Sequence, residues 1–92
     1  MYVQKLIERI SNSYDRVFSH VTFPISKKSN AEIDVFAIKD DIIDIYEVKC
    51  SYRISKARKQ LKRAKRVLEL NGNTYFYCGS SDSIQAIEIS DY

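Results

Sequence analysis

Asp34, Glu47 and Lys49 are the residues whose types and spacing point to chemistry. Glu47 and Lys49 are two positions apart, so on an extended chain both side chains leave the same face, roughly 7 Å apart. Two carboxylates held together repel unless a cation lies between them. A hard divalent ion such as Mg²⁺ suits such a pair and keeps open positions for water. An ammonium beside that ion can orient a bound water and offset negative charge developing on a phosphate. Two carboxylates, a lysine and a metal together fit phosphodiester hydrolysis.

These three residues need a hairpin to bring them together. Residues 32–38 and 42–50 read as strands joined by a tight turn at Lys39-Asp40-Asp41. A two-residue or four-residue loop centred on Asp40-Asp41 pairs Ile38 with Ile43, Phe36 with Ile45, Asp34 with Glu47 and Glu32 with Lys49. Ile33, Val35 and Ala37 then share one face; Phe36 and Ile38 share the other with Asp34. In the second strand Ile43, Ile45, Glu47 and Lys49 share a face, and Asp44, Tyr46 and Val48 the opposite one. Strands apolar on both faces are central strands that need a helix on each side.

Two helices are expected. Residues 2–19 carry an apolar stripe at Val3, Leu6, Ile7, Ile10, Tyr14, Val17 and Phe18, with His20 at the C-terminal end. Residues 55–70 start at Ser55 as N-cap, bury Ala57, Leu61, Ala64 and Leu68 with Val67, and stop at Asn71-Gly72-Asn73. Residues 21–25 form a short strand ended near Pro24, and residues 26–30 a polar loop. Residues 74–78 form a strand whose Tyr75, Phe76 and Tyr77 are core and sheet surface; 79–83 turn, and 84–89 form an edge strand. The order α-β-β-β-α-β predicts an α/β chain, a mixed central sheet flanked by helices on both faces.

Composition sets the scale. With 92 residues, 45% hydrophobic and 29% charged, the chain fits one small globular domain spanning 1–92. That excludes a two-domain enzyme, a large barrel, or a Rossmann unit with a substrate domain. No apolar run approaches the ~20 residues of a membrane span, and charged Lys5, Glu8 and Arg9 argue against an export leader. Cys50 and Cys78 lack zinc spacing and are expected to be reduced, buried strand residues in a cytoplasmic protein. No phosphate-cradling glycine loop, nucleotide fingerprint or Ser-His-Asp arrangement is visible, so no organic cofactor is expected.

Charge is unevenly spread. Nine of the fifteen basic residues fall between Lys49 and Arg66, with no acid among them. Like charges at Arg58 and Lys62, Lys62 and Arg66, and Lys59 and Arg63 repel at i,i+4. A polyanion relieves that repulsion, which makes DNA the expected partner. Arg53, Lys56, Arg58, Lys59, Lys62, Arg63 and Arg66, with the Lys27-Lys28 loop, are the candidate phosphate contacts. Gln60 borders the apolar stripe, placed either to reach a phosphate or to cap the core edge. The plainer alternatives are a solvated helix face, a structural ion cluster at Asp34, Glu47 and Lys49, and a Glu32–Lys49 pair.

Glu32-Ile33-Asp34-Val35, then Glu47-Val48-Lys49, then a helix with Gln60-Leu61 resemble the PD-(D/E)xK nuclease superfamily, which includes restriction-type endonucleases and archaeal Holliday junction resolvases. The resemblance covers residues 1–78 and implies a restriction-endonuclease-like αβββαβ core. It implies that Asp34, Glu47 and the carbonyl of Val48 hold Mg²⁺ or Mn²⁺, and that Lys49 serves the attacking water. Glu8 matches the extra first-helix glutamate of resolvase-like members. Three departures stand out: Ile33 replaces the proline of the family name, Ala64 stands where exonuclease branches carry tyrosine, and the cysteines are too few for the iron–sulfur variants. The implied activity is a Mg²⁺-dependent DNA endonuclease leaving 5′-phosphate and 3′-hydroxyl ends, with branched or junction DNA among its substrates. A homodimer, as in junction resolvases, would widen the basic footprint. The alternative is a non-catalytic nucleic-acid-binding module that keeps the fold; a third is a structural or toxin-neutralising partner protein whose acidic hairpin meets a basic protein.

Overall fold

β-Branched and aromatic residues dominate the chain from Val17 to Val48, and they favour pleated, half-buried surfaces. The computed structural model, which describes residues 2–89, folds this stretch into a three-stranded antiparallel meander. Its strands are β1 (Arg16–Ser26), β2 (Ser29–Lys39) and β3 (Ile42–Lys49). Helix α1 (Tyr2–Ile10) and a 3₁₀ turn (Ser11–Ser13) precede them. Helix α2 (Ile54–Leu68) carries the chain across the sheet to β4 (Thr74–Cys78), parallel to β3, and β5 (Ser83–Ala86) returns antiparallel. The result is an α+β fold, a five-stranded mixed sheet in the order β1-β2-β3-β4-β5.

The sheet is covered on both faces, as its two-sided strands require. On one side Leu6 and Ile10 of α1 pack on Val35, Ala37, Tyr46 and Tyr77. On the other, Ala57, Leu61 and Ala64 of α2 pack on Ile33, Ile45, Phe76, Cys78 and Ile87. Each side is a closed apolar layer, and truncating a residue such as Leu61 costs roughly 2–5 kcal/mol.

The central hairpin turns over two residues. Asp40 and Asp41 have φ of 50° and 67°, the pair of positive values that defines a type I′ turn and matches strand twist. It fixes the expected register: Ile38 faces Ile43, Phe36 faces Ile45 and Val35 faces Tyr46.

The first helix is much shorter than residues 2–19. It stops at Ile10 because Ser11, Asn12 and Ser13 compete for backbone hydrogen bonds, Ser11 Oγ donating back to the carbonyl of Ile7. Tyr14 and Val17 still pack on the α1 side, but Val17 does so from β1, where Phe18 is exposed. His20 is thus a strand residue and not a helix end. β1 also runs through Pro24 to Ser26 instead of stopping there. As the sheet's edge strand it can lack an N–H on its outer side. The loop expected at 26–30 shrinks to a turn at Lys27 and Lys28.

Other boundaries move less. α2 begins at Ile54, with Arg53 and not Ser55 at the cap position and no side-chain cap bond. Val67 is 40% exposed, so it does not widen the buried stripe. The final strand is 83–86 and not 84–89. Cys50 lies just beyond β3 and is exposed, while Cys78 is buried; both are free thiols.

The expected stop signal acts as a clamp. α2 ends at Glu69, which adopts the left-handed conformation, with the Leu70 amide donating to the Lys65 carbonyl at 3.2 Å. Asn71 Oδ1 then accepts from the Ile43 amide, and its Nδ2 donates to the Asp41 carbonyl, each at 3.1 Å. A Cβ on Gly72 would lie 2.0 Å from the Ile43 carbonyl oxygen, so only glycine allows this approach. The Asn73 amide donates to Asp44 Oδ1 at 2.7 Å, and its carbonyl accepts from the Ile45 amide at 3.0 Å. Buried Asp44 is completed by the Tyr14 hydroxyl, which donates to Oδ2 at 2.7 Å.

Candidate active site

β3 positions the core of the site. Ile45 faces α2, so alternation puts Glu47 and Lys49 on that face as well. Glu47 is only 4% exposed. Lys49 turns its Nζ back to within 3.0 Å of Glu47 Oε2.

Asp34 completes the group by leaving the regular ladder. The β2–β3 pairing ends at Val35 and Tyr46, so Asp34 and Glu47 are not the directly paired residues expected. Asp34 Oδ2 instead accepts the amide hydrogen of Val48 at 2.9 Å. That bond ties the carboxylate of β2 to the backbone of β3 beside Glu47. Burial and the Asp34 charge push Glu47 up to about 7, against the opposing pull of Lys49. A buried carboxyl crowded by a second carboxylate favours the approach of a cation. Asp34, Glu47 and the backbone of Val48 are thus neighbours, and carboxylate and carbonyl oxygens are the donors that suit a hard metal ion.

Two residues outside the expected set adjoin Asp34. The β1–β2 ladder runs Ser19 to Val35 and Val21 to Ile33, leaving His20 and Asp34 unpaired between them. His20 has φ of 54°, uncommon for a non-glycine residue. Across this irregularity the faces of β2 exchange: Ile33 packs on the α2 side with Phe36, while Val35 and Ala37 pack on the α1 side. The strict alternation read from the sequence fails at Asp34. His20 Nδ1 lies 3.5 Å from Glu32 Oε1, and ligand atoms of His20, Glu32 and Asp34 all lie within 4.8 Å of one another. Glu32 therefore neighbours His20 and not Lys49, whose partner is Glu47. A first strand extended back to Arg16 would have placed His20 opposite Asp34, so the signal lay in the strand boundary.

The remaining candidates fall elsewhere. Glu8 is exposed on α1, the helix that covers the opposite sheet face. Arg53, Lys56, Arg58, Lys59, Gln60, Arg63 and Arg66 are exposed on and before α2, and Lys62 is half-buried. Lys59, Lys62, Arg63 and Arg66 line one side of an open groove of about 420 Å³ with Ile25 and Val67. Ile25 precedes the exposed Lys27 and Lys28 turn by two residues, so the turn follows directly on the strand end that lines this groove. Arg58 points to a different groove, shared with Lys65, Glu88 and Ile89. The basic residues thus divide between two sides of α2.

No helix among the described residues is long and apolar enough to cross a membrane. No protein-family model and no curated protein sequence matches the chain.

Proposed function

We propose that the protein is a minimal metal-dependent DNA endonuclease of the PD-(D/E)xK type. The observation that carries this reading is Glu47, buried between the Asp34 carboxylate and the Lys49 ammonium. A surface ion cluster would leave both carboxyls solvated, whereas this arrangement crowds a buried carboxyl against a second carboxylate, a conflict that protonation, Lys49 or a bound metal cation relieves. The strand and helix order supports a restriction-endonuclease-like core. Asp34, Glu47 and the Val48 carbonyl would hold Mg²⁺ or Mn²⁺, with His20 and Glu32 flanking Asp34. The ion, when bound, supplies charge for the phosphate oxygens and an activated water. Lys49 orients that water and offsets charge on the phosphate. α2 and the Lys27-Lys28 turn hold the DNA backbone, and a homodimer would provide two such sites. Two free thiols fit a reducing cytoplasm.

The test is cleavage of linear and branched DNAs with Mg²⁺, Mn²⁺ or EDTA. Metal-dependent cutting that Asp34→Asn abolishes, with DNA binding retained, is the expected result. The second reading, a nucleic-acid-binding module without catalysis, is favoured by the groove of Lys59, Lys62, Arg63 and Arg66, whose lining does not include Asp34 or Glu47. Metal-independent binding with no cleavage of any substrate would establish it instead.

A further inference from the structure

Tyr52 is 59% exposed, the most exposed of the large hydrophobic side chains among the described residues. It is nevertheless fixed at two points. Its ring sits edge-to-face with Phe76, 5.5 Å between centroids and 86° between planes. Its hydroxyl donates to Gln85 Oε1 at 2.9 Å. In an edge-to-face pair each ring keeps at least one face free of its partner, so Tyr52 holds an aromatic face to solvent in a set position.

Its place in the sheet is informative. Glu47 pairs with Phe76, and Phe76 pairs with Gln85, so the three form one row across β3, β4 and β5. Neighbouring strands are ~4.8 Å apart. Tyr52 lies over the far end of the row that begins at Glu47, three residues after Lys49 and just before Arg53 and Lys56. One aromatic ring is therefore set on the row that starts at Glu47, in the connection that leads from the carboxylate strand to the basic start of α2.

We infer that Tyr52 is a stacking platform for an unpaired nucleobase whose backbone phosphate lies at Glu47 and Lys49. This rests on the nuclease reading above and adds to it a substrate class: DNA with a single-stranded or splayed nucleotide at the cleavage point. Bases within a duplex have both faces covered by neighbours and cannot stack on a side chain without being extruded. An unpaired base offers its face freely, and stacking is indifferent to which base it is. The adjacent charges of Arg53 and Lys56 supply the sequence-independent hold on the backbone.

The experiment is a fluorescence titration of 2-aminopurine oligonucleotides in Ca²⁺ and in EDTA. The probes are a single strand, a blunt duplex of the same sequence, and that duplex with one unpaired 2-aminopurine. The proteins are wild type, Tyr52→Phe and Tyr52→Leu, with oligomeric state followed by sedimentation. Wild type should quench the unpaired probes and not the paired one. Tyr52→Phe, which keeps the ring, should bind within about twofold of wild type. Tyr52→Leu should lose about tenfold to a hundredfold on the unpaired probes and keep its affinity for the blunt duplex. An equal loss on all probes, or no loss on any, overturns the assignment. So does a Leu variant that dissociates a dimer while binding single strands normally, which would place the ring between copies of the chain. If Tyr52→Leu fails to fold, quenching by wild type and Tyr52→Phe decides alone. A wild-type protein that binds none of the probes sinks the nucleic-acid reading itself; one that binds without Tyr52-dependent quenching sinks only the stacking role.

Discussion

Lys49 holds its ammonium nitrogen 3.0 Å from Oε2 of Glu47, the residue two positions before it on the same face of β3. The contact moderates a carboxyl that burial and Asp34 would otherwise keep protonated. Lys49→Met keeps the aliphatic stem and removes the charge. Glu47 should then titrate above 7, visible in the pH dependence of its side-chain carbonyl resonance. DNA cleavage should fall by about 100-fold or more, the scale of losing one charge-stabilising group.

Asp34→Asn removes the like charge and keeps an oxygen to accept the Val48 amide. In EDTA the variant should be as stable as wild type or more so, and inactive with any metal. The pH dependence has a definite sign. The Glu47 carboxyl sits near 7 in the folded protein against an ordinary value of 4.5. The folded state therefore binds more protons across that window, and metal-free stability should fall as pH rises through it, by at most about 1.4 kcal/mol per pH unit. The fall should be shallower in Asp34→Asn. Urea melts at intervals from pH 4.5 to 8 in EDTA measure both. A marked loss of stability in the variant at every pH would identify a structural ion pair instead.

His20 brings an imidazole beside Asp34 and Glu32. Imidazole suits Ni²⁺, Zn²⁺ and other later transition metals better than Mg²⁺. His20→Gln should weaken Ni²⁺ binding about tenfold while leaving Mg²⁺ binding nearly unchanged, as read by calorimetry. Equal effects on the two ions would remove His20 from the metal's surroundings.

The groove beside α2 makes a salt-dependence prediction. Each phosphate neutralised adds about 0.9 to the slope of log K against log salt on duplex DNA. Lys62→Ala with Arg66→Ala should flatten that slope by about two units and weaken all sequences alike. Folding should survive, because neither residue belongs to the buried Ala57, Leu61, Ala64 stripe. An unchanged slope would leave the helix as a solvated face.

Gly72→Ala should cost roughly 2–4 kcal/mol, because the new methyl meets the Ile43 backbone and the Asp44 carboxylate, which hydrogen bonds hold in place. Urea unfolding should show a lower midpoint with an unchanged slope. A stability within about 0.5 kcal/mol of wild type would mean that α2 and β3 separate readily there.

The hairpin was legible because two local signals agreed. Alternation marked the strands, and a polar Asp-Asp pair able to take positive φ marked the turn, so Phe36 met Ile45 as expected. The end of α1 was not legible, since Tyr14, Val17 and Phe18 continue the helical spacing by coincidence. Pairing with β2, a long-range term, decides that Val17 faces Ala37 in a sheet. The same limit applies at Asp34. Alternation presumes an unbroken ladder, and nothing local to residues 32–36 announces that His20 interrupts it from another strand. Asp34, Glu47 and Lys49 still converge, because the Val48 amide captures Asp34 where the ladder stops. Tyr52 carries no sequence signal beyond being an aromatic residue in a short connection.

β1 is eleven residues long and forms one border of the sheet. A long border strand exposes a row of amides and carbonyls that a second chain can dock against, the usual route to runaway strand pairing and fibres. Here the row is broken twice. Pro24 removes a donor, and the left-handed turn of the backbone at His20 interrupts the regular spacing that an incoming strand would need. The irregularity that sets the imidazole beside Asp34 thus also interrupts the template that this edge offers to another strand. Replacing His20 with a β-branched residue that straightens the strand should promote aggregation even where the folded protein is not destabilised.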